Sequence, residues 1–306
     1  MVRRLLVLLA VVAIVGGAAF WWTTEPARIA PATLTGPPPN IENGKLVFAA
    51  AGCASCHVTD GQQDRTRLGG GHALKSPFGT FHAPNISPHE QRGIGRWSEA
   101  DFANAMLKGV SPAGEHYYPA FPYTSYQRMT VADVRDLFGF IKTLPADPTP
   151  NRPHDLPFPF TVRRGLGLWK LAFLDGRPFQ PDPSKSAAWN RGAYLVEGPG
   201  HCAECHSPRA FTGGIVADRR FAGGPNPEGA GWVPNITPHR DGLASWSQDE
   251  IASFLADGFT PDGDSTGGAM AAVIRNTSQL TDADRAAMAA YLKDLPAREG
   301  RAPARR

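Results

Sequence analysis

Cys53-Ala54-Ser55-Cys56-His57 and Cys202-Ala203-Glu204-Cys205-His206 stand 149 residues apart, and together they hold all 4 cysteines of the 306-residue chain. Each reads C-x-x-C-H, the pattern of covalent c-type haem attachment. The two thiols add across the haem vinyl groups, and the histidine that follows is placed to bind iron from the proximal side. A lone C-x-x-C also serves redox dithiols and zinc half-sites. One four-cysteine zinc site would use every cysteine here. It would need neither the trailing histidines nor the repeat that surrounds them.

The repeat extends well beyond the motifs. Pro84-Asn85-Ile86-Ser87-Pro88 returns as Pro234-Asn235-Ile236-Thr237-Pro238, 150 residues later. Trp97-Ser98 returns as Trp246-Ser247 after 149, and the helix stop Pro145 returns as Pro296 after 151. Such self-similarity marks an internal duplication. Each copy holds a helix, a haem motif, loops, a helix, a loop and a last helix. Asn40 caps the first helix, whose apolar positions run to the Gly52 break. Residues 60–83 read as a Gly-rich loop. Ser98 caps a helix over 101–108. Thr130 opens the clearest helix, with Val134, Leu137, Phe138, Ile141 and Leu144 at helical spacing and Asp133 completing a capping-box variant. Its counterpart opens at Thr281 with Asp284 and runs to Leu295. Gly44 and Gly192 in the first helices permit close crossing by the last ones. The fold class is therefore all-α, with two tandem haem domains behind an N-terminal membrane anchor. The expected divisions are 1–22 anchor, 23–39 tether, 40–148 first haem domain, 149–185 linker, 186–298 second haem domain and 299–306 disordered basic tail.

Arg3 and Arg4 precede an uncharged apolar run of 18 residues, Leu5–Trp22, long enough to span a bilayer. Gly17 and Ala19 would suit a signal-peptidase site ahead of Phe20. The length of the run and the Trp21-Trp22 pair at its end favour an uncleaved anchor. Either way the basic end stays cytoplasmic and the rest is exported, which places the haem domains in the periplasm of a bacterial inner membrane. Residues 25–39, rich in Pro and Ala, read as an extended tether. A net charge of +3 gives no argument for a nucleic-acid partner. The linker has one non-repeated segment, Val162–Leu174, in which Arg163, Arg164 and Lys170 punctuate an apolar face of Leu166, Trp169 and Phe173. It reads as a helix packed between the domains or as a membrane-surface or partner-docking helix.

Four stretches carry a family resemblance: PFGTFHAPNISP (77–88), GIGRWSEADF (93–102), YPAFPYTSYQRM (118–129) and PDPSKSAAWNRGAYLVEGPGHCAECHSPR (181–209). They resemble the cytochrome c subunits of bacterial membrane-bound dehydrogenases that oxidise alcohols, sugar acids and aldehydes. The resemblance covers about residues 40–298. Many such subunits carry three haems, whereas this sequence has motifs for two. It implies two class I cytochrome c-like domains, two covalently bound haem c groups and a role as electron carrier, not catalyst. Electrons would come from a periplasmic dehydrogenase and leave towards quinone, another cytochrome or a terminal oxidase. The alternative is a dihaem enzyme such as a cytochrome c peroxidase or a thiosulfate dehydrogenase. The first needs an accessible iron. The second can use a cysteine ligand, and no cysteine is left over here.

His57 and His206 are the expected proximal ligands. A methionine commonly fills the opposite position and raises the potential. For haem two the candidate is Met270, in a Gly-rich loop eleven residues before Thr281. For haem one, the position matching Met270 is Phe121. Met129, directly before Thr130, is chosen because the family carries a methionine at the matching place in this loop. His82 and His116 are its alternatives, while Met106 and Met288 read as core. Trp97 and Trp246 are each candidates to donate an indole N–H to a haem propionate or to pack in the core. Asn85 and Asn235 either order the haem-edge loop or only hold a turn.

Overall fold

A computed structural model describes residues 1–300 of the 306. Helix α1 (Val2–Thr23) has no buried residue. The first half comprises α2 (Ile41–Ala50), α3 (Cys53–His57), the hairpin β1 (Ala73–Ser76) and β2 (Gly79–His82), α4 (Glu99–Lys108), α5 (Tyr123–Tyr126) and α6 (Val131–Lys142). Helix α7 (Leu166–Phe173) lies in the linker. The second half repeats the order with α8 (Ala187–Glu197), α9 (Ala203–His206), β3 (Gly224–Pro225) paired with β4 (Trp232–Val233), α10 (Gln248–Asp257), α11 (Gly268–Thr277) and α12 (Asp282–Asp294).

In each half the first and last helices cross at a glycine. A Cβ on Gly44 would sit 2.1 Å from the Asp136 carbonyl oxygen, and one on Gly192 would sit 1.9 Å from that of Ala287. No side chain fits at either crossing. The apolar stripe of α6 faces inward as its spacing requires, with Val134, Leu137, Phe138 and Ile141 all buried. Each such side chain stabilises the fold by about 1.5–3 kcal/mol. Phe138 stacks on Phe102 of α4 at 4.9 Å.

The structure corrects several expectations. The chain is mostly helical, and each half also carries a short antiparallel hairpin after its haem motif. The first falls within the stretch read as loop, where Gly79, at φ 124°, closes the turn. Thr130 and Thr281 cap their helices, but Asp133 and Asp284 do not complete the boxes. Asp133 instead accepts from the Asn43 amide at 2.8 Å and from the Tyr194 hydroxyl, and Asp284 accepts from the Arg191 guanidinium at 2.8 Å. Tertiary partners displace the local bond. The tether is not free either. Ile29 and Leu34 pack on the first core, and the Ile29 N–H donates to Asn104 Oδ1 at 2.7 Å. Of the expected disordered tail, residues 301–306 lie outside the described residues, while Gly300 is buried against Ala222.

Candidate functional site

Each C-x-x-C-H forms a short helix, and each trailing histidine meets the repeated proline. His57 Nδ1 donates to the Pro84 carbonyl at 2.8 Å, and His206 Nδ1 donates to the Pro234 carbonyl at 2.8 Å. That bond fixes the tautomer and leaves Nε2 with its lone pair for a metal. Burial holds both imidazoles below the usual histidine range, so they are neutral bases. The asparagines hold the turns that present these carbonyls. Asn85 Oδ1 accepts from the Ser87 N–H and hydroxyl, while its amide donates to the Asp147 and Thr149 carbonyls. Asn235 does the same with Thr237 and the Arg298 carbonyl.

The sulfur environment fits a covalently attached apolar macrocycle. Burial pushes the thiols of Cys53, Cys202 and Cys205 up to about 12 and that of Cys56 to about 11. Among the described residues, no three His, Cys, Asp or Glu side chains converge on one point. Cys53 packs in one apolar cluster with Ile86, Trp97, Phe121 and the fully buried Met129. Cys202 packs in the other with Ile236, Trp246 and the half-buried Met270. Each cluster thus unites a motif cysteine, the loop isoleucine, the repeated tryptophan and one candidate methionine. Met106 and Met288 are core residues, at 5% and 2% exposure. Met270 sits in the first turn of α11, not in a loop. Neither the Trp97 nor the Trp246 indole N–H has a protein partner among the described residues.

The two histidines considered for haem one are engaged elsewhere. His82 Nε2 bonds Asp155 Oδ2 at 3.0 Å, and His116 Nε2 donates to the Thr24 carbonyl at 2.9 Å.

What the sequence reading missed is the way the motifs lock to each other's half. Ser55 and Glu204 hold the same place within their motifs. Asn276 of α11 donates to Ser55 Oγ at 2.8 Å. Ser125 of α5, which lies 151 residues before Asn276, donates to Glu204 Oε1 at 2.7 Å, as does Thr124. So each motif is held by the other half's helix at matching positions, a reciprocal clamp. Burial alone would raise Glu204. The Arg209 guanidinium at 2.7 Å and the Ser125 and Thr124 hydroxyls outweigh it and hold the carboxyl below the usual range. Tyr126 adds a bond from its hydroxyl to the Ala51 carbonyl at 2.9 Å, and its ring meets His201 edge-on at 5.6 Å. His201 takes the place of Gly52 and shares its positive φ, 39° against 63°. A non-glycine held there stores about 1 kcal/mol of strain. The available signal was a charged residue inside a motif whose neighbours are apolar or small.

The Cytochrome c family matches residues 41–145 and 189–296. A "Diheme cytochrome c-type" protein of Cereibacter sphaeroides is 49% identical over 278 residues, covering 90% of this chain and 93% of that one. The fructose dehydrogenase cytochrome subunit of Gluconobacter japonicus is 37% identical, over 85% of this chain and 53% of its own. The cytochrome c subunit of the quinone-dependent alcohol dehydrogenase of Gluconacetobacter polyoxogenes is 35% identical, over 84% of this chain and 56% of its own. The chain thus spans nearly the whole of the first relative and about half of the other two.

Proposed function

The chain belongs to the cytochrome c family and carries two covalently bound haem c groups for electron transfer, and from that premise we propose that it relays electrons from a periplasmic dehydrogenase towards quinone, another cytochrome or a terminal oxidase. Cys53 and Cys56 hold haem one, and Cys202 and Cys205 hold haem two. His57 and His206 would bind the irons through Nε2, and Met129 and Met270 would supply thioether sulfur as the second protein ligands. Trp97 and Trp246 would each offer an indole N–H to a haem propionate. Bound haem supplies a one-electron iron couple whose potential methionine–histidine ligation raises.

The observation that carries the proposal is the reciprocal clamp. Ser55–Asn276 and Glu204–Ser125 hold the two attachment helices in one fixed relation. A relay needs that, because the spacing of its two centres must not vary. The Pro84 and Pro234 carbonyls keep each proximal imidazole oriented through oxidation and reduction. Helix α1 is long and apolar enough to cross a membrane, which would tether the relay at the periplasmic face. The dehydrogenase named for several relatives supports a similar partner here. A peroxidase or thiosulfate dehydrogenase gains no support. Met129 is sealed at 1% exposure beside Cys53, and no cysteine lies outside the motifs.

Pyridine haemochrome analysis should give two haems per chain and one after Cys53→Ala/Cys56→Ala. The purified protein should leave alcohols, aldehydes and thiosulfate unoxidised. It should become reduced when a cognate dehydrogenase and that enzyme's substrate are added. Rapid peroxide turnover by the isolated protein would overturn the relay.

A further inference from the structure

Beyond α1 and the Met1 that precedes it, eight large apolar side chains are exposed among the described residues. All but Ile41 and Phe259 belong to one connected surface: Phe158, Phe160, Val162, Leu168, Leu171 and Phe211. The connections are physical. Trp169 of α7 donates its indole N–H to the Thr212 carbonyl, beside Phe211, which is 96% exposed. Phe78 meets Phe160 edge-on at 5.2 Å and packs near Gly213. Along α7, Leu168, Leu171 and Ala172 share the outward face at helical spacing, while Gly167 and Lys170 are buried on the inward one. The chain therefore turns an apolar face outward where an ordinary surface helix is polar.

What covers this surface follows from its position against α1. The Arg164 guanidinium lies 4.1 Å from the Trp21 ring centre, bonds the Trp21 carbonyl, and pairs with Glu25 Oε2 at 2.8 Å. Its Nε donates to Thr24 Oγ1 at 2.9 Å. Thr24 is fully buried, and a Cβ on Gly167 would lie 2.5 Å from it. The start of α7 is thus bolted to the end of α1, level with Trp21 and Trp22. Tryptophans at the end of a spanning helix lie at the membrane–water interface. A helix fixed to that level has its outward leucines and the neighbouring phenylalanines at the lipid surface.

We propose that this collar, formed by α7, the 157–162 segment and the 210–213 loop, embeds in the bilayer interface around the base of α1. The inference rests on α1 acting as a bilayer anchor, and it adds a second, in-plane lipid contact. That contact would fix the tilt of the haem-bearing body against the membrane, where a single helix leaves it free to swing.

The test uses the full-length dihaem protein in vesicles of phosphatidylcholine and phosphatidylglycerol, with a lipid-partitioning photoactivatable diazirine read by peptide mass spectrometry. Labelling at Phe158, Leu168, Leu171 and Phe211 should exceed that at Ile41 and Phe259 several-fold, with α1 labelled as well. Collar labelling with an unlabelled α1 would sustain the lipid contact and refute the anchor. A labelled α1 with a collar no more labelled than Ile41 would overturn the proposal. So would a collar unlabelled in lipid that becomes shielded from aqueous oxidation only when a dehydrogenase is bound, which would make it a protein-docking face.

Discussion

The two halves share one plan, yet they bring methionine to their haem motifs from different places. In the first half Met129 immediately precedes Thr130, the cap of α6, and is sealed at 1% exposure. At that place in the second half stands Leu280, buried at 4% before Thr281, the cap of α12. The second half offers Met270 instead, in the first turn of the ten-residue α11. Its counterpart α5 has four residues, and Phe121 lies just before it among Tyr117, Tyr123 and Tyr126. A duplicated scaffold has kept its histidine–carbonyl bond and, at two positions ahead of the last helix, exchanged sulfur for apolar filler and the reverse. The retained bond depends on a backbone carbonyl, which a side-chain change does not remove.

The largest effect should come from the methionines. Met270→Ala should abolish the far-red thioether-to-iron band of haem two, lower its potential and admit cyanide or carbon monoxide, with haem one unchanged. Met129→Ala should do the same to haem one alone. Adding Phe121→Met to Met129→Leu should not restore the band, because Phe121 precedes α5 and its ring is held in an aromatic cluster. Restoration would show that the two crevices are interchangeable after all. If Met129→Ala leaves the spectrum intact while His82→Ala or His116→Ala disturbs it, haem one has two histidine ligands and the comparison fails.

The helix crossings are where the halves should agree. Gly44→Ala and Gly192→Ala each force a Cβ into a carbonyl oxygen. Each should cost about 3 kcal/mol in chemical denaturation, and a large difference between them would mean that one crossing relaxes.

The clamp is alike in position and unlike in chemistry. Glu204→Ala leaves the Thr124 and Ser125 hydroxyls and Arg209 without their acceptor, at a cost of about 3 kcal/mol. Asn276→Ala removes a neutral bond to Ser55 and should cost about 1 kcal/mol. Equal losses would show that the buried charge adds nothing.

The end of the middle helix should separate the halves by pH response. In the first half, linker residue Lys170 donates to the Lys108 and Gly109 carbonyls at 2.7 Å each. In the second, Thr277 Oγ1 bonds the Leu255 carbonyl at 2.5 Å. Burial lowers Lys170 from 10.5 to about 7. Between those values the unfolded chain binds more protons than the folded one, so stability should rise with pH from about 7 to 10 and be lost as pH falls back through that window to 7. Lys170→Met should flatten that slope in pH-dependent denaturation, while Thr277→Ala should leave it unchanged.

Lys170 also shows where sequence reading stopped. Spacing placed it as a charge interrupting an apolar face, whereas the fold buries it and turns Leu168 and Leu171 outward. Amphipathic spacing identifies two faces of α7 but not which one meets protein, because that depends on α4, 61 residues away, offering free carbonyls.

The motifs, the duplication, the capping threonines and the glycine crossings were all legible in the chain, since each depends on residue types at short, fixed spacing. Haem attachment needs two thiols and a histidine within one turn, and α6 needs only its own stripe and cap. The proline carbonyls behind His57 and His206, the exchange between Asn276 and Ser55 across 221 residues and the matching Glu204–Ser125 bond across 79 were decided by tertiary structure alone. So was the diversion of Asp133 and Asp284 from their caps. A side chain with several possible partners takes those that packing brings within reach and shields from water, and one-dimensional spacing does not encode that choice.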